Sequence, residues 1–272
     1  MRNIERLFDG KRIVPGMHPR GKLDASLGAE TIIGVPVSER ADPATGPAPS
    51  AEAPTPQIIE APRVRPGPEL LYAHEPNSAR SERVRLLRTH ILLHHTQAGE
   101  TNAVAVLGAG PGEGRSLVAA ELALSLAQFN RPTLLVDVDF RKPRQQVLFG
   151  VEEHDGLAQA IAEHRAPRYH IVDGYANLAL LTAGAPPENP LELLMDWRFE
   201  NLMRDWQQDF DFIVLDTPPL NLYADALAVA TVVGRVLLVY RASQTREKDA
   251  QEMLRRLAAT NAEIIGGALN HF

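Results

Sequence analysis

The segment Ala109-Gly-Pro-Gly-Glu-Gly-Arg-Ser116 lies between an apolar run and an amphipathic one. A glycine-rich turn leading into a helix lines up backbone N–H groups for phosphate oxygens. A hydroxyl where that helix opens can reach a magnesium ion. Two later segments, Leu134-Leu-Val-Asp137-Val-Asp139-Phe-Arg141 and Ile213-Val-Leu-Asp216-Thr-Pro-Pro219, have the form of apolar strands that end in aspartate. Ligands of an open parallel sheet sit beyond the carboxyl ends of its strands. Asp137, Asp139 and Asp216 are therefore expected at one edge, holding Mg²⁺ against a nucleoside triphosphate, ATP. A glycine-rich loop alone is a weak signal. Joined to a preceding strand, a serine and two aspartate-ended strands, it is specific.

Around the phosphates the expected contacts are Gly110, Pro111, Gly112, Glu113, Gly114, Arg115, Ser116 and Leu117. Ser116, Asp139 and Asp216 are the expected metal ligands. Asp137, Asp139 and Arg115 are the expected catalytic residues, with Asp137 placed to orient or deprotonate the attacking hydroxyl or water. Phosphoryl transfer asks for little beyond positioning and charge neutralisation. Two loop positions depart from the usual pattern. Ala109 replaces a glycine, a mild change, and Arg115 stands where such loops carry lysine. An ammonium is a compact point charge and a guanidinium is larger and planar. The charge is kept, so nucleotide binding is expected to survive better than turnover. Arg141 suits either of two roles, stabilising developing charge or pairing with an acid. Asn270 and Arg241, at strand ends near the same edge, suit adenine contact or a structural role.

These residues need strands and helices in alternation to position them. Expected strands are 103–107, 133–136, 178–181, 212–215, 236–240 and 264–269, with a further short one at 169–172. Expected helices are 116–128, 157–163, 190–207, 224–231 and 244–259, preceded by one capped by Ser78 or Ser81 and running to about residue 95. This alternation predicts an α/β fold, a mostly parallel sheet of about seven strands with helices on both faces. Residues 42–68 hold eight prolines among small and polar residues. Such a composition buries too little to offset its ordering entropy, so 41–76 is expected to be a disordered linker. Residues 1–40 form an N-terminal segment, in which Ile4, Leu7 and Phe8 suit a short docking helix. The folded domain is expected over 77–272.

Composition narrows the class. The chain has 272 residues, 44% of them hydrophobic, no cysteine and a net charge of −6. The charge argues against a nucleic-acid partner. Without cysteine there is no disulfide or thiolate metal site, which suits a reducing compartment. No apolar run approaches membrane-helix length.

Assembled, these motifs resemble the bacterial tyrosine kinases, P-loop kinases of exopolysaccharide and capsule assembly with a deviant Walker-type site. The resemblance covers roughly residues 75–270. It rests on the Pro-Gly-Glu-Gly loop, Asp137-x-Asp139-x-Arg141 with Pro143, and Asp216-Thr-Pro-Pro. Gly184-Ala-Pro-Pro-Glu-Asn-Pro-Leu-Glu-Leu-Leu194, Asp225-Ala226, Arg241 and the final Gly-Ala-Leu-Asn270 also fit. It implies that Glu82, Arg85 and Arg88, a Glu-x-x-Arg-x-x-Arg helix, lie at the subunit interface of a ring-like homo-oligomer. It also implies a membrane-embedded chain-length regulator as partner, and a cytoplasmic protein held to the inner membrane through it. The family's C-terminal tyrosine cluster has no counterpart, because the five tyrosines are scattered at 72, 169, 175, 223 and 240. Tyr72, near the linker, is the one expected to be freely exposed. A regulatory subunit that binds ATP with little transfer is the second expectation. A positioning ATPase of the related deviant group is the third, weakened because Gly110 stands where that group carries an extra lysine.

Overall fold

The computed structural model describes residues 61–94, 103–152 and 154–271. Residues 1–60, with the expected N-terminal docking helix, lie outside them. In chain order the strands are β1 (Arg63–Val64), β2 (Ala103–Gly108), β3 (Thr133–Asp137), β4 (His170–Val172), β5 (Tyr175–Leu181), β6 (Phe212–Asp216), β7 (Arg235–Arg241) and β8 (Glu263–Asn270). The helices are α1 (Leu71–His74), α2 (Ala79–His94), α3 (Arg115–Ala127), α4 (Gln145–Leu148), α5 (Leu157–Ala162), α6 (Pro190–Leu194), α7 (Trp197–Asp209), α8 (Asp225–Val233) and α9 (Glu247–Leu257).

The strands form one sheet in the order β1-β4-β5-β3-β6-β2-β7-β8. All neighbours are parallel except β4 and β5. The glycine-rich loop follows β2, which lies between β6 and β7. β3 lies on the far side of β6, in a register that sets Asp137 directly beside Asp216. The three motifs thus leave three adjacent strands at the same edge.

Alternation along β2 shows why both faces need cover. Ala103, Ala105 and Leu107 join one core with α5 to α9, whereas Val104 and Val106 join the other with α1, α2 and α3. Side chains of a strand alternate between faces, so a strand covered on both sides reads as a continuous apolar run. α3 is buried almost throughout, from Val118 to Ala127.

The mostly parallel sheet, expected at about seven strands, has eight, because β1 pairs in parallel with β4. Three other expectations are corrected. Order begins before residue 77. Within the expected linker 41–76, Val64, Leu70 and Tyr72 are core residues. Composition there is proline-rich, but three well-spaced apolar side chains suffice to anchor it. Tyr72 is accordingly not exposed: 1% of its surface is accessible, and its hydroxyl donates to Gln128 Oε1 at 2.6 Å. The expected single helix 190–207 is two, α6 and α7. Asp196 breaks it by taking an extended conformation, and its Oδ1 accepts from Arg198 N at 2.9 Å, the N-cap of α7.

Candidate functional site

A cavity of about 470 Å³ opens at the edge where β2, β3 and β6 end, with Gly112, Ser116, Asp139, Lys142 and Tyr223 in its wall. The loop on its floor owes its shape to glycine and to braces. Gly112 and Gly114 have φ of 74° and 89°, a left-handed conformation costly for other residues. A Cβ on Gly108 would meet Glu113 Oε2 at 2.5 Å.

Each loop carbonyl from 110 to 113 is held by a side-chain donor. Arg115 Nη1 donates to Gly110 O, Gln244 Nε2 to Pro111 O at 3.1 Å, Arg241 Nη1 to Gly112 O at 3.0 Å, and Asn270 Nδ2 to Glu113 O at 2.7 Å. In a planar trans peptide the N–H points opposite to its C=O. With the carbonyls drawn outward, the N–H groups of Gly112, Glu113 and Gly114 are turned the other way, as an anion cradle requires. The Glu113 side chain completes the brace, accepting from Gly110 N at 3.0 Å and Thr245 Oγ1 at 2.6 Å.

Two expected residues are engaged by main-chain groups. Arg115 is buried, and its Nε donates to Thr217 O at 3.0 Å while Nη1 holds Gly110 O. It ties the loop to the end of β6 instead of standing free above the phosphates. Asp137 is fully buried, and three backbone N–H groups occupy its oxygens: Asp139 N on Oδ1 at 3.0 Å, with Arg144 N and Gln145 N on Oδ2 at 2.9 Å. In this structure it anchors the 139–145 loop. Asn270 and Arg241 reach the loop as braces. Arg141 resolves to pairing: Nε and Nη2 bind Asp225 at 2.7 and 3.1 Å, and the guanidinium stacks 4.4 Å from the Tyr223 ring centroid.

Asp139 and Asp216 do converge with Ser116. Asp139 Oδ1 accepts from Arg141 N and Lys142 N at 3.1 and 2.9 Å, which holds its carboxylate in the cavity wall. Asp216 is buried, and burial pushes its pKa up to about 6 against the Ser116 hydroxyl, the Gln145 amide and the Arg115 charge. Burial, then the charge of Asp216, raises Asp137 well above the carboxylate range. Asp216 Oδ1 is buried without a hydrogen-bond partner. Such an orphaned anionic oxygen beside a serine hydroxyl and Asp139 fits a hard cation. Mg²⁺ is commonly held by one or two carboxylates together with substrate phosphates. Among the described residues no cluster of three His, Cys, Asp or Glu forms an all-protein cage.

Gln145 was not foreseen. It is fully buried, its Nε2 donates to Ser116 O at 2.9 Å and Asp216 Oδ2 at 2.8 Å, and its backbone N donates to Asp137. One residue thereby joins all three motifs. No spacing rule marks it, since it lies eight positions beyond Asp137 at the start of the four-residue helix α4. Gln244 and Thr245, within the expected helix 244–259, precede α9, which begins at Glu247.

No protein-family profile matches the chain. It is 31% identical over 202 residues to the putative tyrosine-protein kinase CapB of Staphylococcus aureus, covering 74% of this chain and 88% of that one. The solved kinase domain of Escherichia coli tyrosine kinase ETK superposes with a TM-score of 0.70 at 31% identity, over 74% of this chain and 79% of that one. The cell-division ATPase MinD of Pyrococcus furiosus is more distant, at TM-score 0.53 and 21% identity over 62% of this chain and 72% of that one, a likeness of fold alone.

Proposed function

The chain belongs to the bacterial tyrosine kinase family, and from that premise we propose that it transfers the γ-phosphoryl group of Mg-ATP to tyrosine. The loop amides of Gly112 to Gly114 would cradle the phosphates. Ser116, Asp139 and Asp216 would hold Mg²⁺, which when bound neutralises charge on the transferring phosphoryl group. Arg115 and Leu117 would border the nucleotide. Asn270 would serve it indirectly, through Glu113 O.

The observation that carries this reading is the unpartnered Asp216 oxygen beside a loop whose carbonyls from 110 to 113 are each held by a side chain. A plain structural turn needs neither. Radiolabelled ATP with Mg²⁺ and a tyrosine substrate is the test. The wild-type chain should yield phosphotyrosine, and Asp139→Ala and Asp216→Ala should each lower the rate at least about 100-fold, the scale of losing a transition-state electrostatic partner. Unchanged rates in both variants would remove the site.

We further propose that the protein serves exopolysaccharide assembly as a homo-oligomer on a membrane-embedded chain-length regulator, on the strength of the motif resemblance. Among the described residues no helix is long and apolar enough to cross a membrane, which accords with a separate membrane partner. Glu82 and Arg85, on the outer side of α2, would form the subunit contact. The pinned Arg115 favours a second reading, an ATP-binding regulatory subunit with little transfer. Tight Mg-ATP binding without phosphotyrosine on any substrate would establish that reading over the first.

A further inference from the structure

The cavity mouth carries two unlike kinds of side chain. Lys142 and Arg144 line it, both exposed. The neighbouring cations are spent, Arg115 on loop carbonyls and Arg141 on Asp225. No ion pair engages the side chain of Lys142 or Arg144 among the described residues. Their backbone is nevertheless fixed, because Lys142 N is held by Asp139 and Arg144 N by Asp137. The carboxylates at the centre of the site thus set the main chain from which two free cations extend. Glu69 and Asp139 are the acids that line the same cavity. Leu222, 58% exposed, and Tyr223, whose ring is held by the Arg141 stack, line it as well.

A ligand matching both kinds of side chain carries a flat apolar group beside anionic ones. We infer that this mouth is an acceptor subsite for a tyrosine flanked by acidic residues, with Lys142 and Arg144 facing the carboxylates and Leu222 and Tyr223 flanking the phenol. The inference rests on the kinase reading of the cavity. In the step it serves, the phenol oxygen bonds to the γ-phosphorus of ATP. The bond from that phosphorus to the β,γ-bridging oxygen breaks, ADP leaves with the electron pair, and the phenolic proton passes to water. Tyr72 and Tyr240 of this chain are buried, so neither is the acceptor this subsite would take.

Binding separates this inference from the chemistry. Fluorescein-labelled Glu-Glu-Tyr-Glu-Glu and Lys-Lys-Tyr-Lys-Lys peptides would be titrated by anisotropy into the full chain with Mg²⁺ and a non-hydrolysable ATP analogue. The acidic peptide should bind roughly tenfold tighter at low salt, and the difference should shrink as salt is raised. The double variant Lys142→Glu, Arg144→Glu should reverse the preference. Lys142→Met with Arg144→Met should abolish it without reversal. Equal affinities of the wild type for both peptides would overturn the inference. So would a loss of analogue affinity in the Met variant as large as its loss of peptide affinity, because the cations would then serve the triphosphate. If the acidic peptide binds as expected yet receives no phosphate from Mg-ATP, the subsite stands and the kinase reading fails.

Discussion

At the scale of single residues, Gln145 is the side chain on which the site's geometry turns. Its amide fixes one oxygen of Asp216 and so aims the other, and the same nitrogen holds the first helical turn through Ser116 O. An outer partner that orients a metal ligand typically accounts for about 10- to 100-fold in metal affinity. Gln145→Leu is therefore expected to raise the Mg²⁺ concentration needed for nucleotide binding by about tenfold or more, with little effect on metal-free nucleotide binding. Gln145→Glu should be worse, because it adds a third buried carboxylate beside Asp137 and Asp216. Fluorescent-nucleotide titrations at graded Mg²⁺ check both, and an unshifted Mg²⁺ midpoint in the leucine variant would reduce Gln145 to packing. The contrast with Asp216 is instructive about what a sequence reveals. Asp216 ends a five-residue apolar strand, a pattern visible by eye, whereas Gln145 acquires its role only when two strands distant in sequence are laid side by side. Arg115 shows the same limit from the other direction. Its type was read correctly as a departure, but its partner, Thr217 O, lies 102 positions away.

Among the elements, the pairing of β3 with β6 has a measurable cost. The two strands end with Asp137 beside Asp216 in register, both buried. Their pKa values are raised in the fold, Asp216 to about 6 and Asp137 well above the ordinary value of 3.8. A carboxyl group with a raised folded-state pKa binds its proton more tightly folded than unfolded. Stability therefore falls as pH rises above the unfolded value near 4, until the folded groups have ionised. The nucleotide-free protein should accordingly melt at a lower temperature at pH 7 than at pH 5. Mg²⁺ with nucleotide at pH 7 should recover the loss by neutralising the pair. Differential scanning calorimetry of wild type and Asp216→Asn tests this: the variant should show the shallower pH slope, and identical slopes would show that the pair carries no strain. The helix α2 needs similar care. Arg88 donates to Ser125 O at 3.0 Å and stacks 4.4 Å from the Phe129 centroid, so it packs within its own chain. Arg85 pairs with Glu82 and reaches Pro76 O. Arg88→Ala should lower the stability of the protomer by about 1–2 kcal/mol. Arg85 also lies 5.7 Å from the Tyr72 ring centroid, so only Glu82→Ala reports cleanly on assembly. Sedimentation velocity should show a smaller oligomer for Glu82→Ala at unchanged melting temperature. The helical triplet was legible from its three-residue step, but a three-residue step cannot tell which member turns inward.

For the whole molecule, the decisive matter is where the folded unit begins. Strand–helix alternation was legible over most of the described chain because each element is long and apolar on the faces it buries. The segment 61–76 was not, because two residues of strand and four of helix carry no periodicity. Its contribution comes from tertiary placement. β1 extends the sheet beyond β4, Gly67 N donates to Leu148 O at 2.7 Å beside the cavity, and Tyr72 N donates to the buried Glu121 at 3.3 Å. Burial raises the Glu121 pKa against the charge of Arg80, so removing the Tyr72 amide takes one stabilising partner from a desolvated acid. Val64, Leu70 and Tyr72 are all in the core that covers α3. Burying side chains of that size contributes about 1.5–3 kcal/mol each, and domains are stable by only about 5–15 kcal/mol in total. A chain beginning at residue 77 should therefore lose most of its stability, and one beginning at residue 61 should retain the contribution of this segment. Urea unfolding of the two, side by side, isolates the difference. A milder probe is Tyr72→Ala, expected to lower the unfolding free energy by about 3 kcal/mol, as for other fully buried aromatic side chains. Because the same segment supports Leu148 in the cavity wall, the shorter chain should also bind nucleotide more weakly under conditions where it remains folded. Equal urea midpoints for the two chains would mean that this edge of the sheet is an ornament on a core complete without it.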